Sequence, residues 1–188
     1  MSITTVPTSR YRTLWLIVAL LALPFAVGAG LYFWGWHPDR AGNHGDLLTP
    51  PRPLPTLTDA AGAPIHLDGH WTLVVAGSGP CDAACQQWIV STRQVHVALY
   101  KQMPRVRRAW LTNLPAPDAA PLTALQPDLI ALSAPGADAR AAFDLSQPGH
   151  RVFVVDPQGR IILRYAADAD PRGILKDMDH LLRYAWAG

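Results

Sequence analysis

The sequence predicts a mixed α/β domain behind a single N-terminal membrane-spanning helix. Three observations predict it. Residues 13–36 form an uncharged apolar run of 24 residues, long enough to cross a hydrocarbon core of about 30 Å. Farther on, two short continuous apolar runs of strand length, 71–76 and 152–155, stand apart from a segment whose apolar residues recur every three and four positions. The first pattern is that of buried strands and the second that of an amphipathic helix. Compact turn signals then separate the runs. With 188 residues there is room for one domain and an appendage. Hydrophobic residues make up 49% and charged ones 16%, the latter well below the roughly 25% of an ordinary soluble domain. That composition excludes intrinsic disorder. A net charge of +2 excludes the strongly basic face of a nucleic-acid-binding protein, so no nucleic-acid partner is expected.

The apolar run carries the marks of a spanning helix. Arg10 and Arg12 precede it, and His37, Asp39 and Arg40 follow. Tyr11 and Trp15 sit at one edge, with Tyr32, Phe33, Trp34 and Trp36 at the other, as in an interfacial aromatic belt. Pro24 lies mid-span, where it kinks a membrane helix without forbidding it. The two arginines on the short side place residues 1–12 in the cytoplasm and the rest outside it. The small residues at 26–30 resemble a signal-peptide cleavage site. The apolar run continues well past them, so an uncleaved anchor in contact with the lipid bilayer is expected. Residues 37–55 read as a linker, with Gly42, Gly45, Pro50, Pro51, Pro53 and Pro55 making it partly extended and semi-rigid. Residues 56–188 form the globular domain. Everything after residue 36 carries 14 basic and 14 acidic residues.

Within that domain, 57–67 (LTDAAGAPIHL) is a hairpin signal around Asp59 and Gly62. WTLVVA at 71–76 reads as a central buried strand. GSGP at 77–80 breaks it. Cys85, Trp88, Ile89, Thr92, Val95 and Leu99 then line one helical face, until Pro104 ends or bends the helix. VRRAWL at 106–111 is the next strand. The Pro- and Ala-rich stretch that follows suggests short helices at 122–132 and 138–143. Residues 152–155 form a strand, DPQG at 156–159 a tight turn, and 161–165 the hairpin partner. Asp170 and Pro171 open a last helix as N-cap and first-turn proline, with Ile174, Leu175, Met178, Leu181, Leu182 and Ala185 on one face.

The chemistry rests on two cysteines. Cys81 and Cys85 form a CxxxC at the junction of a buried strand and a helix, one turn apart and on nearly the same face. Their sulfurs can bond as a disulfide or ligate one metal. A helix N-terminus lowers thiol pKa values, and a compartment outside the cytoplasm favours disulfides. Thiolates suit Cu(I) or Zn(II), and an added imidazole suits Cu(II). A purely structural disulfide gains most by closing a long loop; three intervening residues favour redox or metal chemistry instead. Asp82 reads as a favourable first-turn acid able to tune thiolate charge.

Seven histidines are candidates for a further ligand. His37 and His44 lie in the linker. His66 and His70 precede the 71–76 strand, about 20 Å from the sulfurs at strand rise. His96 lies about 16 Å along the helix, and His180 is in the last helix. His150 stands in a loop just before the 152–155 strand; spacing leaves open whether that loop faces the cysteines. Arg93, Lys101, Arg105, Arg107 and Arg108 make a basic cluster, read as a solvated face or a contact for anionic lipid or an acidic partner. Trp71, Trp88, Trp110 and Trp186 read as core or interface aromatics.

The order of elements resembles the thioredoxin-like fold, and more narrowly the Sco (SCO/SenC) family of cytochrome c oxidase assembly proteins. "LTDAAGAPIHLDGHWTLVVAGSGPCDAAC" is similar to that family's opening hairpin, central strand and CxxxC, and "HRVFVVDPQGRIILRY" to its later strand, turn and hairpin. The resemblance implies a central mixed sheet flanked by helices, in a single-pass protein of the inner membrane with its C-terminal domain in the periplasm. It implies copper held by Cys81, Cys85 and, provisionally, His150. It implies a role in oxidase assembly by copper delivery, thiol-disulfide exchange or both, with oxidase subunits or assembly factors as partners. The family has a proline after each cysteine, where this chain has Asp82 and Gln86. Its histidine stands eight residues before the turn aspartate, a place held here by Pro148, and His150 is six before Asp156. Two other readings therefore stand beside copper delivery: a metal-free thiol-disulfide oxidoreductase, and a non-catalytic accessory subunit that keeps the fold.

Overall fold

The structure is a computed structural model and describes residues 9–33, 42–59, 61–112, 126–134 and 136–185. The chain divides into two compact units between residues 41 and 42. The first holds helix α1, Ser9–Phe33, with Pro24 inside it. Its segment Tyr11–Phe33 is long and apolar enough to cross a membrane. Its described side chains are exposed almost throughout. Residues 34–36 of the expected span lie outside the described residues.

The second unit is built on a mixed sheet of eight strands among the described residues. These are β1 (Asp46–Pro53), β2 (Leu57–Thr58), β3 (Pro64–Ile65), β4 (Trp71–Gly77), β5 (Val106–Thr112), β6 (Leu129–Ser133), β7 (His150–Val155) and β8 (Arg160–Tyr165), in the spatial order β1-β8-β7-β4-β5-β6-β2-β3. β4 pairs in parallel with β5 and antiparallel with β7. It is buried along its whole length, as its continuous apolar run requires. Its alternate side chains feed two cores. Trp71, Leu73 and Val75 face helices α2 (Ala83–Ala98) and α4 (Pro171–Tyr184), meeting Trp88, Ile89, Ile174 and Met178. Val74 and Ala76 face the other side, against Phe143 and Phe153 beside the short helix α3 (Ala137–Ala142). The period-two alternation of strands thus becomes a sheet covered on both faces.

Three expectations are corrected. The second half of the expected 37–55 linker is strand β1, paired antiparallel with β8. Its prolines concealed it, but proline is tolerated on an edge strand, where no ladder hydrogen bond is lost on the open side. In the expected 122–132 helix, the described residues form a turn at 127–128 and strand β6, parallel to β5. Partnering along the sheet outweighs the helical preference of Ala and Leu there. The basic cluster is not one solvated face: Arg93 and Lys101 are exposed, but Arg105 and Arg108 are tied into the fold. The Arg108 side chain is 0% exposed and donates to Asp128 (2.7 Å), Gln126 (2.8 Å) and the Ile89 carbonyl (2.6 Å). Arg105 donates to the Leu182 and Ala185 carbonyls.

The Arg108–Asp128 pair gives a pH prediction. Burial works to raise the Asp128 pKa, but the hydrogen bond from Arg108 and its charge outweigh burial, and the value lies below the usual 3.8. A depressed folded-state value stabilises the fold above pH 3.8, and that contribution is lost as the pH falls through the folded value. Asp128→Asn is therefore expected to be less stable than wild type at neutral pH, with the gap narrowing as the pH is taken below 3.8. Urea midpoints across this range check it; a gap independent of pH would refute the pairing.

Candidate functional site

β4 ends at Gly77, and the chain turns through Gly79, whose φ of +87° is easily taken only by glycine. Thr112 at the end of β5 donates its hydroxyl to the Gly79 carbonyl at 3.1 Å, tying this turn to the sheet. Cys81 follows, and α2 begins two residues later. Asp82 is its N-cap: Oδ1 accepts the Cys85 N–H at 2.8 Å. Cys81 lies just before the helix and Cys85 in its first turn. Their Cα atoms are 5.1 Å apart and the two are joined by a disulfide. Cys85 is 0% exposed, packed against Trp88 in the core, whereas Cys81 is half-buried at the rim. One sulfur is approachable and the other is held beneath it.

His150 opens strand β7 and is the register partner of Gly77. It is thus part of the sheet and not of the loop before it. Its ring lies on the Gly77 backbone. A Cβ at residue 77 would stand 2.6 Å from Nε2, so only glycine leaves space for the imidazole. Nδ1 points toward Asp82, 3.6 Å from Oδ1. The His150 side chain is 2% exposed, and neither ring nitrogen has a hydrogen-bond partner. Burial lowers its pKa, and the Asp82 charge offsets this only in part, so the ring favours the neutral form that ligates metals. Buried polar atoms without partners call for an explanation such as a redox role or an ion.

Three of the other described histidines are engaged elsewhere. His44 meets Asp177 (2.9 Å), His96 Nε2 bonds the Met103 carbonyl (3.0 Å), and His180 packs on Tyr184. His66 and His70 lie before β4, at the opposite end of that strand from the cysteines. His37 lies outside the described residues. Among the described residues, no group of three or more His, Cys, Asp or Glu side chains is arranged to hold a metal. Opening the Cys81–Cys85 disulfide would free two thiolates flanking Asp82, and thiolate and imidazole are donor types that suit copper.

Two members of the site were not legible from spacing. Gly77 becomes the seat of His150 only through the β4–β7 register. Asp82 was expected within the first helical turn and is instead the cap that faces His150. An Asp followed three residues later by a buried helical position is an N-cap signature, and it was the available signal.

The family model described as "Transmembrane-like, thioredoxin-like, C-terminal domain" matches residues 71–185. Comparison with curated sequences finds no match. Among solved structures, the chain is similar to Arabidopsis thaliana ScoI with copper bound: 14% identity, 75% of this chain and 99% of that one covered, TM-score 0.57. It is similar to BsSco, a member of the Sco family of cytochrome c oxidase assembly proteins in which a disulfide switch was identified: 14% identity, 75% and 98% covered, TM-score 0.56. It is also similar to an uncharacterized thioredoxin-like protein from Porphyromonas gingivalis: 17% identity, 69% and 92% covered, TM-score 0.55. These likenesses show the fold, which is thioredoxin-like.

Proposed function

The chain belongs to the family of transmembrane-like proteins with a thioredoxin-like C-terminal domain, and from that premise we propose that it is a Sco-type protein assisting cytochrome c oxidase assembly. It acts by copper delivery, thiol-disulfide exchange or both, through Cys81 and Cys85. One observation carries this: Asp82, between the disulfide-bonded Cys81 and Cys85, accepts the Cys85 N–H and lies 3.6 Å from a buried His150 whose two ring nitrogens have no hydrogen-bond partner. The copper-bound Arabidopsis structure and the disulfide switch of BsSco support it. In this reading the apolar helix is the anchor. Arg10 and Arg12 keep its N-terminus in the cytoplasm and the domain faces the periplasm.

The chemistry follows from the placement of the residues. The α2 N-terminus stabilises a thiolate. In exchange, the Cys81 thiolate attacks a partner disulfide, forming a mixed disulfide and releasing one partner thiolate. Cys85, one turn away, then attacks the Cys81 sulfur. The second partner thiolate leaves and the Cys81–Cys85 bond closes. Two electrons pass to the partner, whose disulfide becomes two thiols. A cleft of about 270 Å³ beside the motif, lined by Gln87, Trp88 and Ser91 of α2 and by 167–169, gives a partner chain room to approach. In copper delivery, the two thiolates and the neutral His150 imidazole hold the ion as cargo, a soft donor set that suits Cu(I).

The test is copper titration of the reduced full chain in detergent. One Cu(I) per chain is expected in wild type, none in Cys81→Ser, and binding weakened at least about tenfold in His150→Ala. Absence of copper binding by reduced wild type sinks the delivery role. The metal-free oxidoreductase reading is favoured by the half-buried Cys81 above a fully buried Cys85. It fails if the bond resists thiol reductants. Normal oxidase assembly with both cysteines changed to serine would point to the accessory role.

A further inference from the structure

Asp82 has two relationships at once. Its Oδ1 caps α2 through the Cys85 N–H, and the same oxygen lies 3.6 Å from Nδ1 of His150. Donors on one small ion, each about 2.0–2.2 Å from it, stand roughly 3–4 Å apart. The Asp82–His150 pair has this spacing already. The imidazole is buried and without a hydrogen-bond partner, whereas the carboxylate is 63% exposed. A carboxylate oxygen carries more than one lone pair, so Oδ1 can accept the cap bond and ligate an ion at once.

We propose that Asp82 belongs to the metal site as a fourth donor and shifts its preference from Cu(I) toward a divalent ion such as Zn(II). This rests on the reading of Cys81, Cys85 and His150 as metal-holding residues. Two thiolates and an imidazole alone form a soft, three-donor set of the kind Cu(I) takes. A carboxylate oxygen completes the four-donor sulfur, nitrogen and oxygen set that Zn(II) accepts. It also adds a third negative charge to those of the two thiolates, which favours the higher-charged cation.

Asn and Ser are N-caps comparable with Asp. Asp82→Asn and Asp82→Ser therefore remove the anionic oxygen while keeping the helix start. Each reduced full chain, in detergent, is titrated with Zn(II) and separately with Cu(I) in competition with chelators of known affinity. Both substitutions are expected to weaken Zn(II) binding at least about tenfold and to change Cu(I) binding by less than about threefold. In Co(II)-loaded samples the intense visible bands of the four-coordinate ion should weaken in both variants. Unchanged Zn(II) affinity, or equal losses for the two ions, overturns the role of Asp82. If wild type binds Cu(I) while Asp82 proves indifferent, the copper reading stands and this inference falls. If wild type binds neither ion, both fall.

Discussion

Replacing Asp177 with alanine should destabilise the folded domain by about 3–5 kcal/mol. The carboxylate is buried in α4, its side chain only 2% exposed. It accepts the backbone N–H groups of His44 (2.8 Å) and Gly45 (3.0 Å), the Tyr165 hydroxyl (2.9 Å), and a contact from His44 Nδ1 (2.9 Å). Burial first, and then the adjacent Asp177 charge, push the Tyr165 hydroxyl far above its usual range, so it stays a donor. Alanine would leave these donors without an acceptor. Asp177→Asn, which keeps one acceptor oxygen, should lose less. The arrangement has little slack: a Cβ on Gly45 would stand 2.7 Å from the Tyr165 ring, and one on Gly173 2.7 Å from His44. Urea unfolding of the full chain in detergent, followed by fluorescence of the buried tryptophans, measures the loss. A change below about 1 kcal/mol would show that residues 44 and 45 are not held there.

Gly77→Ala is expected to remove the site while leaving every candidate ligand in the sequence. The added methyl meets the His150 ring at Cγ (2.7 Å) and Nε2 (2.6 Å), on directly paired residues of β4 and β7. Either the imidazole leaves its seat or the strands part. The expected results are copper affinity reduced at least about tenfold, like His150→Ala, and stability lowered by about 1–3 kcal/mol from overpacking. A double-mutant cycle separates the two. In a His150→Ala background the ring is gone, so adding Gly77→Ala should cost little more on either scale. Copper binding by Gly77→Ala at wild-type affinity would show that the ring position is irrelevant to the metal.

The parts of the fold legible in the sequence are those whose signal is local. The apolar run of β4, the Cys85-to-Leu99 face of α2, the DPQG turn and the Asp170–Pro171 helix start each depend on a few neighbouring residues, and each stands where expected. What escaped depends on distant partners. β1 is a strand because β8 lies beside it, more than 100 residues along the chain. β6 is a strand because β5 offers a parallel edge. Arg108 shows the same limit. It looked like one charge in a basic cluster, yet Val106, Arg108 and Trp110 alternate onto the face beneath α2, and Asp128 and Gln126 complete its hydrogen bonds. In the site, the cysteine pair was legible from its spacing. The seating of His150 on Gly77 and beside Asp82 was not, because a sheet register and a helix cap create it together.

The two outermost strands have a consequence for crowding. β1 carries Pro50, Pro51 and Pro53, with a register shift between Leu47 and Arg52, and β3 begins at Pro64. Prolines and irregular pairing deny a neighbouring chain the continuous row of N–H groups that edge-to-edge aggregation needs. Crowded copies of this chain are therefore expected to meet through side chains and not through backbone pairing at β1 and β3.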